Sequence, residues 1–454
     1  MIENRRHLVK SLFLMLFSSW LPKVASAAPK VVGGNADFTR ALDDALAGRT
    51  EVLSGYYEIS NPLRFSLKSG TVKFAPDFQL KFLNDKLSGL VFSSCSDLSL
   101  IGGDFSYKNP PARRIGHGGI YEFSRCTKVI VRDGFYYDTP GTGIIFTLCD
   151  DCAVIKATVW NSWADGLHFA NCNNCIALDY QSTNTGDDGL AFVNYKKHPD
   201  AVGGYANNIV INGSYARGIA IIGQSGVTID KFEIRHTSAE GLKIGSEQYY
   251  DTRIPSNVTI KNGIVEEAGT WCVAKATGNG FLVQGATDKI VVENLTVNAP
   301  RVHGIVFDRH GGNVKMKDIV VKNTKASGIT MMADNIELVN GEFLNIGTTP
   351  LYVNKALTAN FSKINVNTFG FADKSSWPIF WAVEAKNVLI NQMKVESTTL
   401  VRIGGKNVIS HQITGVQISG VQLSGLLSDG LNSKTTSAVS AITSTAVKFI
   451  EQWN

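Results

Sequence analysis

Three acids in the middle of the chain, Asp165, Asp187 and Asp188, are the residues best able to do chemistry together. Asp165-Gly166-Leu167 and Asp188-Gly189-Leu190 repeat one pattern 23 residues apart. If that interval is one structural unit, Asp165 and Asp188 stand side by side, with Asp187 beside them. Carboxylates held this close raise one another's pKa, and a fold rarely gathers them for stability alone. One protonated and one ionised carboxyl is the pair that cleaves a glycosidic bond. The column continues through Arg217 and Glu240, each followed by Gly, and two residues past a Gly come His168 and Lys243. These four are the expected substrate-binding groups. Trp163 and Tyr249 join them, because aromatic faces stack on sugar rings; Trp160 and Tyr250 are their neighbours, and Glu247 is not assigned to the site. Two plainer readings stay open: a calcium site built from the acids, or a turn ladder whose charges cancel. For His168, a hydrogen bond to the next unit explains the residue as well as a substrate contact does.

What positions these residues is a repeat. Gly followed by an apolar-x-apolar run recurs at Gly119, Gly143, Gly166, Gly189, Gly218, Gly241, Gly280, Gly304 and Gly328, mostly 23 or 24 residues apart. Between these copies lie short alternating segments such as TKVIVRDG, NNIVINGS and SNVTIKNG. A period near 23 with two-residue alternation and little helical pattern predicts a solenoid whose coils bury their apolar side chains against one another. The expected fold is therefore all-β, a right-handed parallel β-helix of about a dozen coils; a propeller needs longer, four-stranded units. The repeated Gly marks a bend or a close backbone approach. Residues 71–425 are the expected coils. Residues 28–70 form an N-terminal cap with a short helix bearing Phe38, Leu42 and Leu46 on one face, and 426–454 a C-terminal cap or tail.

The same period decides how the cysteines are read. Cys149-x2-Cys152 and Cys172-x2-Cys175 have the spacing of a four-thiolate zinc site. Yet Cys126, Cys149 and Cys172 are each 23 residues apart, as are Cys152 and Cys175. Stacked coils turn that spacing into a column of small buried side chains, with inter-coil disulfides and zinc as alternatives. Seven cysteines leave at least one unpaired within the chain.

Composition narrows the partners. Of 454 residues 18% are charged, and the net charge of +5 is mild. No basic run of the kind that binds nucleic acid appears. Residues 1–27 read as an export signal: Arg5 and Arg6, an apolar run from Leu12 to Phe17, then Ala25-Ser26-Ala27. NRRHLVK resembles a twin-arginine signal, and a general secretory signal is the equal alternative. The expected location is periplasmic or secreted, in a bacterium. No later apolar run is long enough to span a bilayer.

The series ADG, then GDD, then RGI and GLKI resembles the polygalacturonase-type glycoside hydrolases within the pectate lyase-like β-helix superfamily. The likeness covers roughly residues 160 to 250; the general β-helix pattern covers nearly all of the chain beyond the signal. It implies inverting hydrolysis, with Asp188 (or Asp187) as general acid and the remaining acids holding and deprotonating a water. There are departures. Trp163 and Ala164 stand where that family's pattern has Asn and Thr, Arg217 replaces its His, Lys243 its Arg, and Gly245 its Lys. The acids are kept while the uronate-binding basic pair is altered, so hydrolysis is better supported than galacturonan specificity. The expected activity is hydrolysis of a polysaccharide without a cofactor. A lyase or uronate epimerase on the same fold is the runner-up, with Lys243 or Arg217 as base and Ca²⁺ held by the aspartates; a non-catalytic glycan-binding protein is the third. Monomer and trimer are both left open.

Overall fold

Each coil is laid out by two kinds of turn. One is a single residue in the left-handed conformation, at Asp133, Lys156, Asp179, Asn208 and Lys231 in successive coils. At Asp133, Lys156 and Asp179 it separates two short strands, at Asn208 and Lys231 it falls within one longer strand, and the Asn and Asp members adopt that conformation readily. Neighbours there also bond across coils: Asn208 Nδ2 donates to Asp179 Oδ1 (2.6 Å) and Asn262 Nδ2 to Asp230 Oδ1 (2.7 Å). The other turn is the one that carries the repeated Gly.

The result, in a computed structural model, is a parallel β-helix. It describes residues 31–109, 111–116, 118–271, 278–285, 287–369, 377–396, 401–406, 410–419 and 447–451. Every pairing between named strands is parallel, and each strand bonds to its equivalents one coil before and one coil after. Three faces result. The face that matters here contains β1 (Gly119–Ser124), β2 (Thr142–Thr147), β3 (Leu167–Ala170), β4 (Leu190–Val193), β5 (Ile219–Ile222), β6 (Leu242–Gly245) and β7 (Phe281–Gln284). Its register pairs Ile145 with His168, His168 with Ala191, Ala191 with Ala220 and Ala220 with Lys243.

Alternation puts one side of each strand into a continuous core. Beneath this face the core is a column of rings, Phe65, Phe92, Phe123, Phe146, Phe169 and Phe192, with centroids 4.6 to 5.4 Å apart and nearly parallel. The repeated Gly serves close approach rather than a left-handed bend. A Cβ on Gly166 would lie 2.6 Å from the Gly189 carbonyl oxygen, and one on Gly189 would lie 2.8 Å from that of Gly218.

Helix α1 (Asn35–Leu46) buries Phe38, Leu42 and Ala45 over the first coils, and Phe38 meets Tyr57 edge-on at 5.4 Å. It closes an end that would otherwise expose the core. Stacked strands already begin at Tyr56–Ile59 and Leu63–Ser66, within the stretch read from sequence as cap. The export segment, 1–27, lies outside the described residues. So does most of 426–454, of which Val447–Glu451 is a strand paired with Val401–Lys406.

The six described cysteines are buried and free of disulfides. The Cys126 amide donates to Cys149 Sγ (3.3 Å) and the Cys95 amide to Cys126 Sγ (3.4 Å), so the column is laced across coils. Burial holds the Cys172 thiol well above its ordinary range, in keeping with a column of small buried side chains. Among the described residues, no helix is long and apolar enough to cross a membrane.

Candidate active site

The residues just before each repeated Gly form a stacked column, and the backbone registers it. The amide of Gly166 donates to the Asp188 carbonyl (2.9 Å), that of Gly189 to Arg217 (3.0 Å) and that of Gly218 to Glu240 (3.4 Å). Side chains reinforce the stacking. Asp165 Oδ1 accepts the Asp188 amide (2.9 Å), and Asp188 Oδ1 accepts the Arg217 amide (2.9 Å). Farther along, Asn279 Oδ1 takes the His303 amide (3.4 Å) and His303 Nδ1 takes that of Ser327 (3.2 Å). A side-chain acceptor at this position is therefore a structural device of the repeat, and an Asn performs it as well as an Asp.

What sets the middle coils apart is charge. Asp165, Asp187 and Asp188 each bring an oxygen within 4.8 Å of the others'. Asp165 Oδ2 lies 2.7 Å from His168 Nδ1, and Asp187 Oδ2 lies 2.7 Å from Arg114 Nη1. Arg217 Nε sits 3.0 Å from Asp188 Oδ1, out of line for a hydrogen bond. Among the described residues, nothing hydrogen-bonds Asp188 Oδ2.

The two stacked acids are shifted in opposite directions. Burial raises both, because a low-dielectric site disfavours the charged form. At Asp165 the His168 hydrogen bond and charge, the Asp188 amide and Arg114 outweigh burial and hold the carboxyl below the ordinary range. At Asp188 burial wins: Arg217 opposes it, but Asp187 and Asp165 add to it, and the carboxyl is held well above the ordinary range. The pair is thus pushed apart, Asp165 toward the ionised form and Asp188 toward the protonated one. Buried Arg217 stays charged because Asp188, Glu247, Asp187 and Asp165 together overcome its desolvation.

Other residues named from sequence fall as follows. His168 projects from β3 and Lys243 from β6, three coils apart, with Ala191 and Ala220 between them in register. Lys243 Nζ bonds Glu247 Oε1 (2.8 Å). Glu240 is buried one coil beyond Arg217. Tyr249 is 90% exposed, on a single 3₁₀ turn, Gln248–Tyr250, against Tyr250. With Arg217, Glu247, Tyr250 and Gln284 it borders an open cleft of about 430 Å³. Trp163 is a correction: it is 8% exposed and its indole Nε1 donates to the Pro111 carbonyl (2.7 Å), so it anchors a loop instead of offering a sugar platform.

Two residues that sequence reasoning missed complete the site. Arg114 comes from the segment between Tyr107 and Gly119, which Trp163 and the Ile115–Pro140 backbone bond (2.9 Å) fold down over the acids. Glu247 comes from the segment after β6. That segment is tied to the one after β4 by Arg253, whose Nη1 reaches Asn194 Oδ1 (3.0 Å) and Nη2 the His198 carbonyl (2.8 Å). Both missed residues sit where coils are longer than the period, the one signal in the sequence that pointed to them.

Comparison with known proteins agrees with the architecture. A family profile described as a right-handed β-helix region matches residues 200–366. No curated protein matches the sequence. The catalytic domain of a GH87 α-1,3-glucanase in complex with tetrasaccharides superposes with a TM-score of 0.51 at 15% identity, over 79% of this chain and 70% of that one. The same type of domain in complex with nigerose gives 0.51 at 16%, over 79% and 69%. The A-module of a mannuronan C-5 epimerase, AlgE6 of Azotobacter vinelandii, gives 0.41 at 15%, over 87% and 93%. At these identities the likeness to the two glucanase domains establishes the fold alone, a right-handed parallel β-helix.

Proposed function

We propose that the protein hydrolyses glycosidic bonds in a polysaccharide, with Asp188 protonating the departing oxygen and Asp165 and Asp187 drawing the proton from an attacking water. One observation carries this reading: adjacent coils hold two acids shifted in opposite directions, Asp165 down and Asp188 up, with oxygens of the acidic trio within 4.8 Å of one another. Such a division is what acid and base catalysis at one bond requires. His168 orients Asp165 and favours its ionised form, and Arg114 holds Asp187 in place. Arg217 fixes Asp188 and borders the cleft in which the next sugar units lie. The glycan-bound glucanase domains of the same fold support this reading by analogy of fold alone. In keeping with the leader-like first 27 residues, the protein acts outside the cytoplasm.

The resemblance to polygalacturonase-type enzymes points to inversion. The short separation of the trio does not add support, since an inverting pair that flanks its water stands roughly 6.5–9.5 Å apart. Inversion here requires the water to sit at the edge of the cluster, between Asp165 and Asp187. The lyase or epimerase alternative needs an unpaired base and a cation among the aspartates. Lys243 is instead paired with Glu247, and each acid already faces His168, Arg114 or Arg217. Hydrolysis by the acids calls for no cofactor, and the trio is where a cation would sit if the lyase reading held.

The test is a panel of polysaccharides followed for reducing-end release, ultraviolet absorbance and the anomer first formed, with and without chelator. Hydrolysis predicts new reducing ends, no rise in absorbance and no effect of chelator. An unsaturated product, or activity abolished by chelator and restored by Ca²⁺, would establish the lyase chemistry instead.

A further inference from the structure

Glu247 occupies a telling place beside the acids. Its Oε1 lies 2.8 Å from Lys243 Nζ and 3.4 Å from Arg217 Nη2, so one carboxylate oxygen is shared by both cations. All three groups are largely screened from solvent, with side-chain exposures of 19%, 11% and 16% for Glu247, Lys243 and Arg217. In such a setting a charge pair is not washed out by water as a surface pair would be. The third cation of the site, Arg114, is taken by Asp187. The other cleft-lining groups next to Glu247 are neutral donors and rings: Ser246, Gln248, Gln284, Tyr249 and Tyr250.

We propose that Glu247 is a specificity-determining residue: by filling the place between Arg217 and Lys243 that an acidic sugar would take, it makes the cleft a subsite for an uncharged sugar and excludes uronate. The inference rests on the glycan-cleaving reading of the neighbouring acids and narrows its substrate class to neutral polysaccharides. A uronate carboxylate entering here would find both cations paired and would meet the carboxylates of Glu247, Asp165 and Asp187. Like charges in a desolvated site are a strong means of rejection. An uncharged sugar meets none of that repulsion; its hydroxyls can bond the amides of Gln248 and Gln284, and its ring can lie on Tyr249 or Tyr250.

The test compares the full chain with Glu247→Gln and Glu247→Ala, measuring calorimetric binding of tetragalacturonate and of an α-1,3-gluco-tetramer, with turnover followed on the same samples. The unmodified protein should bind the neutral tetramer and reject tetragalacturonate. Both substitutions release Arg217 and Lys243, so tetragalacturonate should gain about tenfold or more in affinity, and the gain should shrink as salt rises. Thermal unfolding checks that the variants fold. The double variant Glu247→Gln with Lys243→Met guards against repulsion between the freed cations and should lose most of the gain. Tight binding of tetragalacturonate by the unmodified protein, or no gain in any folded variant, would overturn the proposal. Selective binding with no reducing ends released from any polysaccharide of the panel would instead sink hydrolysis and leave the charge selectivity standing.

Discussion

At the scale of the residue, Asp188 has two jobs that a substitution can separate. Its Oδ1 accepts the Arg217 amide, and its carboxyl carries the proton. Asp188→Asn keeps an acceptor of the same shape, as Asn279 does in the same column, so melting should barely move while turnover falls about 10²–10⁴-fold. Asp188→Ala removes the acceptor too, and should cost about 1–3 kcal/mol in denaturant unfolding because a buried amide is left unmade. The shifted acids also shape stability against pH. Asp165, held low, stabilises the fold at and above the ordinary carboxylate range, and that contribution goes as pH falls through its depressed value. Asp188, held high, does the reverse: its contribution is complete below the ordinary range and is lost as pH rises through its elevated value.

At the scale of the element, the site depends on how closely coils approach and on what folds over them. A methyl on Gly189 would sit 2.5 Å from Ile211 Cγ2 and 2.8 Å from the Gly218 carbonyl oxygen. Gly189→Ala should therefore destabilise by about 1–3 kcal/mol, the usual cost of overpacking, and should lower turnover further by shifting Asp188 against Asp165 and Arg217. Both effects are read by unfolding and by activity on the same sample. Trp163→Phe keeps the buried ring but loses the bond to Pro111, which loosens the segment presenting Arg114 to Asp187. A fall in kcat with little change in the melting temperature is the expected result. A large loss of stability with unchanged kcat would mean that the segment serves packing alone.

At the scale of the whole molecule, most of what the structure contains was written as period. The 23-residue interval alone placed Asp165 on Asp188 and Cys126 on Cys149; stacking makes sequence spacing and spatial adjacency the same thing. The Gly column was legible as a bend or a close approach, and the structure shows the close approach. Arg114, Glu247 and the burial of Trp163 were not, because they belong to insertions whose course is set by contacts between coils and not by the repeat. The first stacked strands at Tyr56 and Leu63 were likewise read as cap, since the coils before Gly119 lack the repeated Gly pattern. The central claim spans all three scales: one wall of the solenoid holds a proton donor and a proton acceptor for the same glycosidic bond. Its most direct measurement is the pH profile of kcat/KM for reducing-end release by the unmodified protein and by Asp188→Asn. The prediction is a bell that falls on the acid side as Asp165 takes a proton and on the alkaline side as Asp188 loses one, with the variant reduced to about a hundredth or less and lacking the alkaline limb. An Asp188→Asn protein that releases reducing ends at the original rate, with the same profile, would contradict it.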